Sequence, residues 1–269
     1  MDARSIGVFD SGLGGLTTVK RLAELLPGED IIYLGDTGRV PYGSRSRETI
    51  IKYAGQAADF LARFDIKAMV IACNTASTCA YEMLSRSYKM TVYEVVSAPA
   101  KAATERTKNG KIGVIGTNAT IKSGAYVEAI MQIDRSIRVF PEACPLFVPL
   151  VENGRFADND VAALAIAKDY LSALRDAEVD TLILGCTHYP LLRSVISALM
   201  GPNVTLIDSG AETAKHVAED LSEQNMLSQK RSIGLIKYYV TDSTEGFSEL
   251  ASRFLDSNVH GQVEQIELD

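Results

Sequence analysis

Short apolar runs rich in Val, Ile and Leu alternate with longer segments whose apolar residues recur every three or four positions, and the alternation continues to about residue 255. Short runs with little polar interruption suit strands covered on both faces, as the strands of parallel sheets are. They predict strands over Ser5–Phe9, Ile31–Leu34, Ala68–Ala72, Thr91–Val95, Lys111–Ile115, Ile137–Phe140, Thr181–Leu184, Val204–Ile207 and Leu235–Val240. The segments between them carry the helical period. Glu48–Phe64 sets Ile50, Ile51, Ala54, Ala57, Ala58 and Leu61 on one stripe, and Val161–Leu174 does the same with alanines and leucines. Strand and helix in strict alternation is the pattern of an α/β protein with mostly parallel sheets. No linker is rich in Gly, Pro or Ser, so any boundary between lobes is compact.

The chain also echoes itself. IGVFDSG begins at Ile6 and IGVIGTN at Ile112, while AMVIACNTAS and TLILGCTHYP place cysteines at positions 73 and 186. The two pairs are separated by nearly the same length of chain, which predicts a duplicated α/β lobe with three layers in each copy. Functional groups of open α/β sheets gather at the carboxyl ends of strands, so both cysteines are expected to face ligand clefts. If the lobes face each other, the two clefts are one.

Cys73 follows its strand directly and is succeeded by Asn74, Thr75 and Ala76, a helix start. Backbone N–H groups and the positive helix end there are expected to lower the thiol pKa toward the working range. Cys186 repeats the context, with Thr187, His188, Tyr189 and Pro190 after it, and His188 can assist its thiol. Cys79 and Cys144 read as small buried hydrophobes. A metal site made from Cys73, Cys186 and His188 finds no support in ligand spacing, so no metal is expected.

Other candidates lie in loops after strands. Asp10, Ser11, Gly12, Gly14 and Gly15 follow the first strand, where glycines admit a ligand to the backbone and a helix start favours an anion. The third glycine of a dinucleotide fingerprint is missing and there is no GxxxxGK[ST], so a nucleotide is not indicated. Asp10 would relay a proton for Cys73 or cap a helix. In GDTGRVPYGSRS, Tyr42 offers a hydroxyl and Gly43 a backbone donor, while Arg39 and Arg45 read as solvated charges or ion pairs. Thr117, Asn118, Thr120 and Ser123 follow the Lys111–Ile115 strand at the position equivalent to Asp10 and Ser11. His216, inside an amphipathic pattern, and His260, in the tail, read as structural or solvated. No lysine sits in a pyridoxal motif, and no cofactor is called for.

Composition narrows the partners. Lys and Arg total 27 against 34 for Asp and Glu, a net charge of −7 without basic runs, which argues against nucleic acid and anionic membranes. The apolar runs are far shorter than the ~20 residues of a membrane span. MDARSIGVFDSG has no apolar signal-peptide region and no CxxC joins the four cysteines, which predicts a cytoplasmic chain with reduced thiols. A chain of 269 residues buries roughly three quarters of its unfolded surface, enough for two modest lobes around one cleft.

An acid or base on each face of one carbon suits racemisation or epimerisation above other reactions: one sulfur removes the α-proton and the opposite thiol returns one. FDSGLGGL (Phe9 to Leu16), PYGSRS (Pro41 to Ser46), ACNTAS (Ala72 to Ser77), GVIGTNATIKSGAY (Gly113 to Tyr126), PLVENG (Pro149 to Gly154) and GCTHYPLL (Gly185 to Leu192) stand in order along the chain. As a set they resemble the aspartate/glutamate racemase family, and within it the glutamate racemases of peptidoglycan synthesis. The resemblance implies a cofactor-independent two-base enzyme, with Cys73 the base toward D-glutamate and Cys186 toward L-glutamate. It implies that Asp10 assists Cys73, that His188 with Glu152 behind it assists Cys186, and that substrate contacts fall on Asp10, Ser11, Tyr42, Gly43, Asn74, Thr75, Thr117, Thr120, Thr187 and His188. It further implies a homodimer, and a fold in which residues 1–97 with 208–269 form one lobe and 98–207 the other. The chain departs from the family at Gly38 and Val40, where alanine and phenylalanine are frequent, a change expected to affect loop stiffness only. Three other readings stay open: an aspartate racemase; a thiol hydrolase with Cys186 as nucleophile, His188 or another histidine as base and Glu152 as orienter; and a two-lobed binding protein that closes on its ligand without turnover.

Overall fold

The computed structural model describes residues 2–230, 232–245, 247–255 and 263–269; His260 lies outside the described residues. Ten strands are present among them: β1 (Ser5–Asp10), β2 (Ile31–Gly35), β3 (Ile66–Ile71), β4 (Thr91–Glu94), β5 (Lys111–Gly116), β6 (Arg138–Ala143), β7 (Thr181–Gly185), β8 (Thr205–Asp208), β9 (Ile236–Val240) and β10 (Val263–Gln265). All nine predicted strands are found with ends shifted by a few residues, and β10 is additional. β6 runs beyond its predicted end through Pro141, which an edge strand tolerates because a proline there removes no donor that a central ladder needs.

The strands form two sheets, in the orders β10-β9-β2-β1-β3-β4 and β6-β5-β7-β8, and every pairing is parallel. The run β2-β1-β3-β4 matches β6-β5-β7-β8 strand for strand, so the internal echo in the sequence corresponds to two α/β lobes of like topology. In each lobe the strand before the cysteine, β3 or β7, lies next to the first strand of its copy. The central strands β1, β3 and β7 are buried along their length, which is why they read as apolar runs.

The helix Arg47–Ala62 buries Ile50, Ala54, Ala57, Ala58 and Leu61 as predicted, with Phe60 in place of the half-buried Ile51. Its start is capped by Ser46, whose hydroxyl accepts from the Thr49 N–H at 3.3 Å. His216 lies exposed on the helix Ser209–Glu223, edge-on to Tyr93, away from the cleft. The buried Lys67 near the start of β3 is paired with Glu29 at 2.6 Å and donates to the carbonyls of Asp2 and Met226 at 2.9 and 2.7 Å. Glu29 Oε1 in turn accepts from the Ser228 N–H at 2.7 Å, so this buried charge pair ties the segment leading to β9 back to the first sheet.

The lobes meet through glycines. A Cβ on Gly14 would stand 2.2 Å from Thr187 Oγ1 and 2.6 Å from His188 Nδ1, and one on Gly43 would stand 2.9 Å from Thr117 Cβ. Loops of the first lobe therefore touch loops of the second at distances that no larger residue permits.

Candidate active site

The first corner of the cleft is built on β1 and β3. Cys73 leaves β3 and caps the helix Asn74–Ser87, its sulfur accepting from the Ala76 N–H at 3.5 Å and donating to Ser11 Oγ at 3.3 Å. Asp10 ends β1 behind it, fully buried, with Oδ2 accepting from the Gly12 N–H at 2.9 Å and Oδ1 without a hydrogen-bond partner. Burial raises the Asp10 pKa, against the pull of the His188 charge and the Gly12 amide. The Cys73 thiol is pushed up to about 12, first by burial and then by the Asp10 charge, with Ser11 and the Ala76 amide opposing. The expectation of a lowered thiol is thus corrected: one helix-end amide and one hydroxyl do not offset removal from water beside a carboxylate.

The second corner is built differently. Cys186 follows β7, and His188 two residues on turns Nδ1 toward its sulfur at 3.9 Å and Nε2 toward Glu152 Oε1 at 3.2 Å. Glu152 ends the helix Phe147–Glu152 and is half-exposed, while the imidazole is buried against the edge of Phe254. Burial is the largest influence on His188 and disfavours its cation, but contacts with Cys186 and Glu152 together outweigh it and raise the pKa to about 10. These contacts favour the imidazolium form of His188.

Both sulfurs border one cavity of about 180 Å³. Of the residues named from the sequence, Ser11, Tyr42, Gly43, Asn74, Thr75, Thr117, Glu152, Thr187 and His188 line it with Cys73 and Cys186. Asp10 and Thr120 do not. Asp10 sits behind Cys73, and Thr120 is buried behind the cavity, its hydroxyl 3.1 Å from that of Thr117 and 3.4 Å from that of Thr75. Tyr42 presents its ring only, because its hydroxyl donates to the buried Asp36, which also accepts from Arg39 and Thr241. Arg39 is therefore an ion pair stacked 4.1 Å over Tyr53 rather than a solvated charge. The Asn74 amide is likewise engaged, donating to Ser209 Oγ at 3.2 Å and accepting from Tyr126 at 2.6 Å. Cys79 is half-buried and Cys144 lies in the core, both off the cavity.

Sequence reasoning missed part of the lining. Ser44 adds a polar group beside the sequence candidate Asn118, and Val40, Pro41, Pro145, Val148 and Pro149 form an apolar wall. Pro41 was signalled by PYGSRS and Pro149 by PLVENG, while Pro145 lies in neither motif. Val40 belongs to the wall itself, so the departure at that position alters cavity shape and not loop stiffness alone. Among the described residues no group of three or more His, Cys, Asp or Glu is arranged to hold a metal ion.

A family described as Asp/Glu/hydantoin racemase matches residues 6–217. The chain is 48% identical over 269 residues to a glutamate racemase of Geobacter metallireducens, covering 100% of this chain and 98% of that one. Among solved structures it superposes on a glutamate racemase of Bacillus anthracis with TM-score 0.95 at 37% identity, covering 100% and 99% of the two chains. A glutamate racemase of Francisella tularensis in complex with D-glutamate gives TM-score 0.93 at 38% identity, with the same coverage.

Proposed function

Because the chain belongs to the Asp/Glu/hydantoin racemase family, we propose that it interconverts L- and D-glutamate without a cofactor, supplying D-glutamate for peptidoglycan synthesis, with Cys73 and Cys186 as the opposed acid–base groups. The observation that carries the reading is one small cavity bordered by a sulfur from each of two like lobes. Toward D-glutamate, the Cys186 sulfur takes the α-proton of L-glutamate and its electron pair stays on the α-carbon. The Cys73 thiol, protonated at neutral pH, donates its proton to the other face. The imidazolium of His188 stands beside the sulfur that must carry negative charge before the first step. Toward L-glutamate the proton must leave Cys73 first, and Asp10, with its raised pKa, is the group placed to carry it. Charge that develops on the α-carboxylate is met by neutral donors from Ser11, Gly43, Thr75, Thr117, Asn118 and Thr187, while the Asn74 side chain lines the cavity with its amide held by Ser209 and Tyr126.

The proposal includes a lobe division at residues 1–97 with 208–269 and at 98–207, supported by the position of β9 and β10 in the first sheet. It also takes the enzyme to be a cytoplasmic homodimer whose partner is free glutamate, not nucleic acid or membrane. The net charge of −7 and four unbridged cysteines favour this. Among the described residues no helix is long and apolar enough to cross a membrane.

The Cys186–His188–Glu152 line also has the geometry of a thiol nucleophile with base and orienter. That hydrolase reading leaves Cys73 idle and requires activity in Cys73→Ala. Circular dichroism of the purified protein with L-glutamate, D-glutamate and aspartate, no cofactor added, tests the proposal: both glutamate signals decay to zero. Decay with aspartate alone moves the substrate, and silence with all three rejects racemisation.

A further inference from the structure

Tyr126 bridges the two thiol-bearing corners and has no part in the chemistry described so far. It lies on the helix Ala125–Ile133, packed with Ile112, Val114 and Ile183 in the core of the second lobe. Its ring occupies the space beside Gly185, the residue before Cys186: a Cβ on Gly185 would stand 3.1 Å from Tyr126 Cε2. Its hydroxyl crosses to the first lobe, 2.6 Å from Asn74 Oδ1 and 2.8 Å from the Val95 carbonyl. Asn74 is the residue after Cys73, and its amide N–H group donates to Ser209 Oγ at 3.2 Å. One rigid side chain thus spans from the strand end that carries one sulfur to the helix start that carries the other. A phenol buried between two acceptors has a single proton to share, which fixes its position closely.

We propose that Tyr126 is a positioning residue for racemisation, a strut whose ring abuts Gly185 beside Cys186 and whose hydroxyl holds Asn74 beside Cys73, setting the spacing between the two thiols. The proposal rests on the two-thiol reading above. A proton removed by one sulfur must be replaced by the other before the first gives it back, so the outcome of each turnover depends on that spacing. Loosening the strut lowers kcat in both directions and diverts turnovers toward return of a solvent-exchanged proton to the original face.

The test uses the full chain carrying Tyr126→Phe, which keeps the ring against Gly185 and deletes the bond to Asn74. In deuterated water, early recovered L-glutamate is analysed for α-deuterium alongside the D-glutamate formed. The strut predicts kcat lower by about tenfold or more, as small misplacements of reacting groups produce, with KM changed less than about twofold and a raised ratio of deuterated L-glutamate to D-glutamate. A purely structural hydroxyl would change the melting temperature and leave that ratio at the wild-type value, which overturns the proposal. If Tyr126→Phe does not fold, Ser209→Ala removes the other hold on Asn74 and is expected to raise the same ratio more mildly; an unchanged ratio there overturns it equally. Wild-type protein run in parallel separates the two readings, since absence of α-deuterium from its product rejects the two-thiol mechanism itself.

Discussion

The two corners of the cleft occupy equivalent places in lobes of like topology, yet they hold their sulfurs in opposite electrostatic settings. Cys73 is buried with a carboxylate behind it, and burial and that charge push its pKa up to about 12 against the Ser11 hydroxyl beside it. Cys186 faces an imidazolium backed by a second carboxylate. A duplicated backbone supplies equivalent positions, and the residues just past each strand decide which charges surround each sulfur. In the proposed mechanism Cys186 is the base for L-glutamate and Cys73 the thiol that returns a proton. In the same mechanism the reverse direction must first empty Cys73, with Asp10 as the proposed acceptor.

The largest effect should come from removing either member of the comparison. Cys73→Ser and Cys186→Ser are each expected to lower racemisation by roughly 10²–10⁴-fold in both directions, the usual contribution of a positioned acid or base; circular dichroism with each enantiomer reads this. A normal rate in either variant removes that sulfur from the mechanism. The assisting groups should matter less and unequally. L- and D-glutamate have the same free energy, so kcat/KM must fall equally in both directions, and the inequality appears in isotope effects. His188→Asn and Asp10→Asn are each expected to cost about 10–100-fold. The first raises the α-deuterium isotope effect with L-glutamate and the second with D-glutamate; the same pattern for both variants would erase the distinction between the corners.

The smallest effect is one of pH. His188 titrates in the folded protein near 10, against an ordinary 6.5. The contribution of its cation to stability is whole below about 6.5 and is lost as the pH rises through about 10. Glu152→Gln removes the charge 3.2 Å from Nε2, so the alkaline limb of kcat/KM should move about one pH unit lower. An unmoved limb would mean that Glu152 does not act through His188.

Much of this was legible in the chain because strands covered on both faces must be apolar throughout, and because Cys73 and Cys186 stand at strand ends with helix starts after them. β10 was not legible: it is a three-residue edge strand, mostly exposed, with no apolar run to mark it. The thiol shift was misjudged for a related reason, since a helix start is visible locally while burial of Cys73 beside Asp10 depends on how β1 and β3 pack. Tyr42 and Asn74 were recognised as cavity residues, but their polar groups are taken by Asp36, Tyr126 and Ser209, partners that only the fold brings near. The apolar wall of Val40, Pro145 and Val148 carries no chemical signature that separates it from ordinary core.

The most direct test of two opposed sulfurs is the fate of the α-proton at the start of the reaction. L-Glutamate is given to wild-type protein in deuterated water, and both enantiomers are analysed by mass after a few per cent conversion. The two-thiol mechanism predicts α-deuterium in the D-glutamate formed and little in the L-glutamate recovered. Equal deuterium in the two pools, or none in the product, would contradict it.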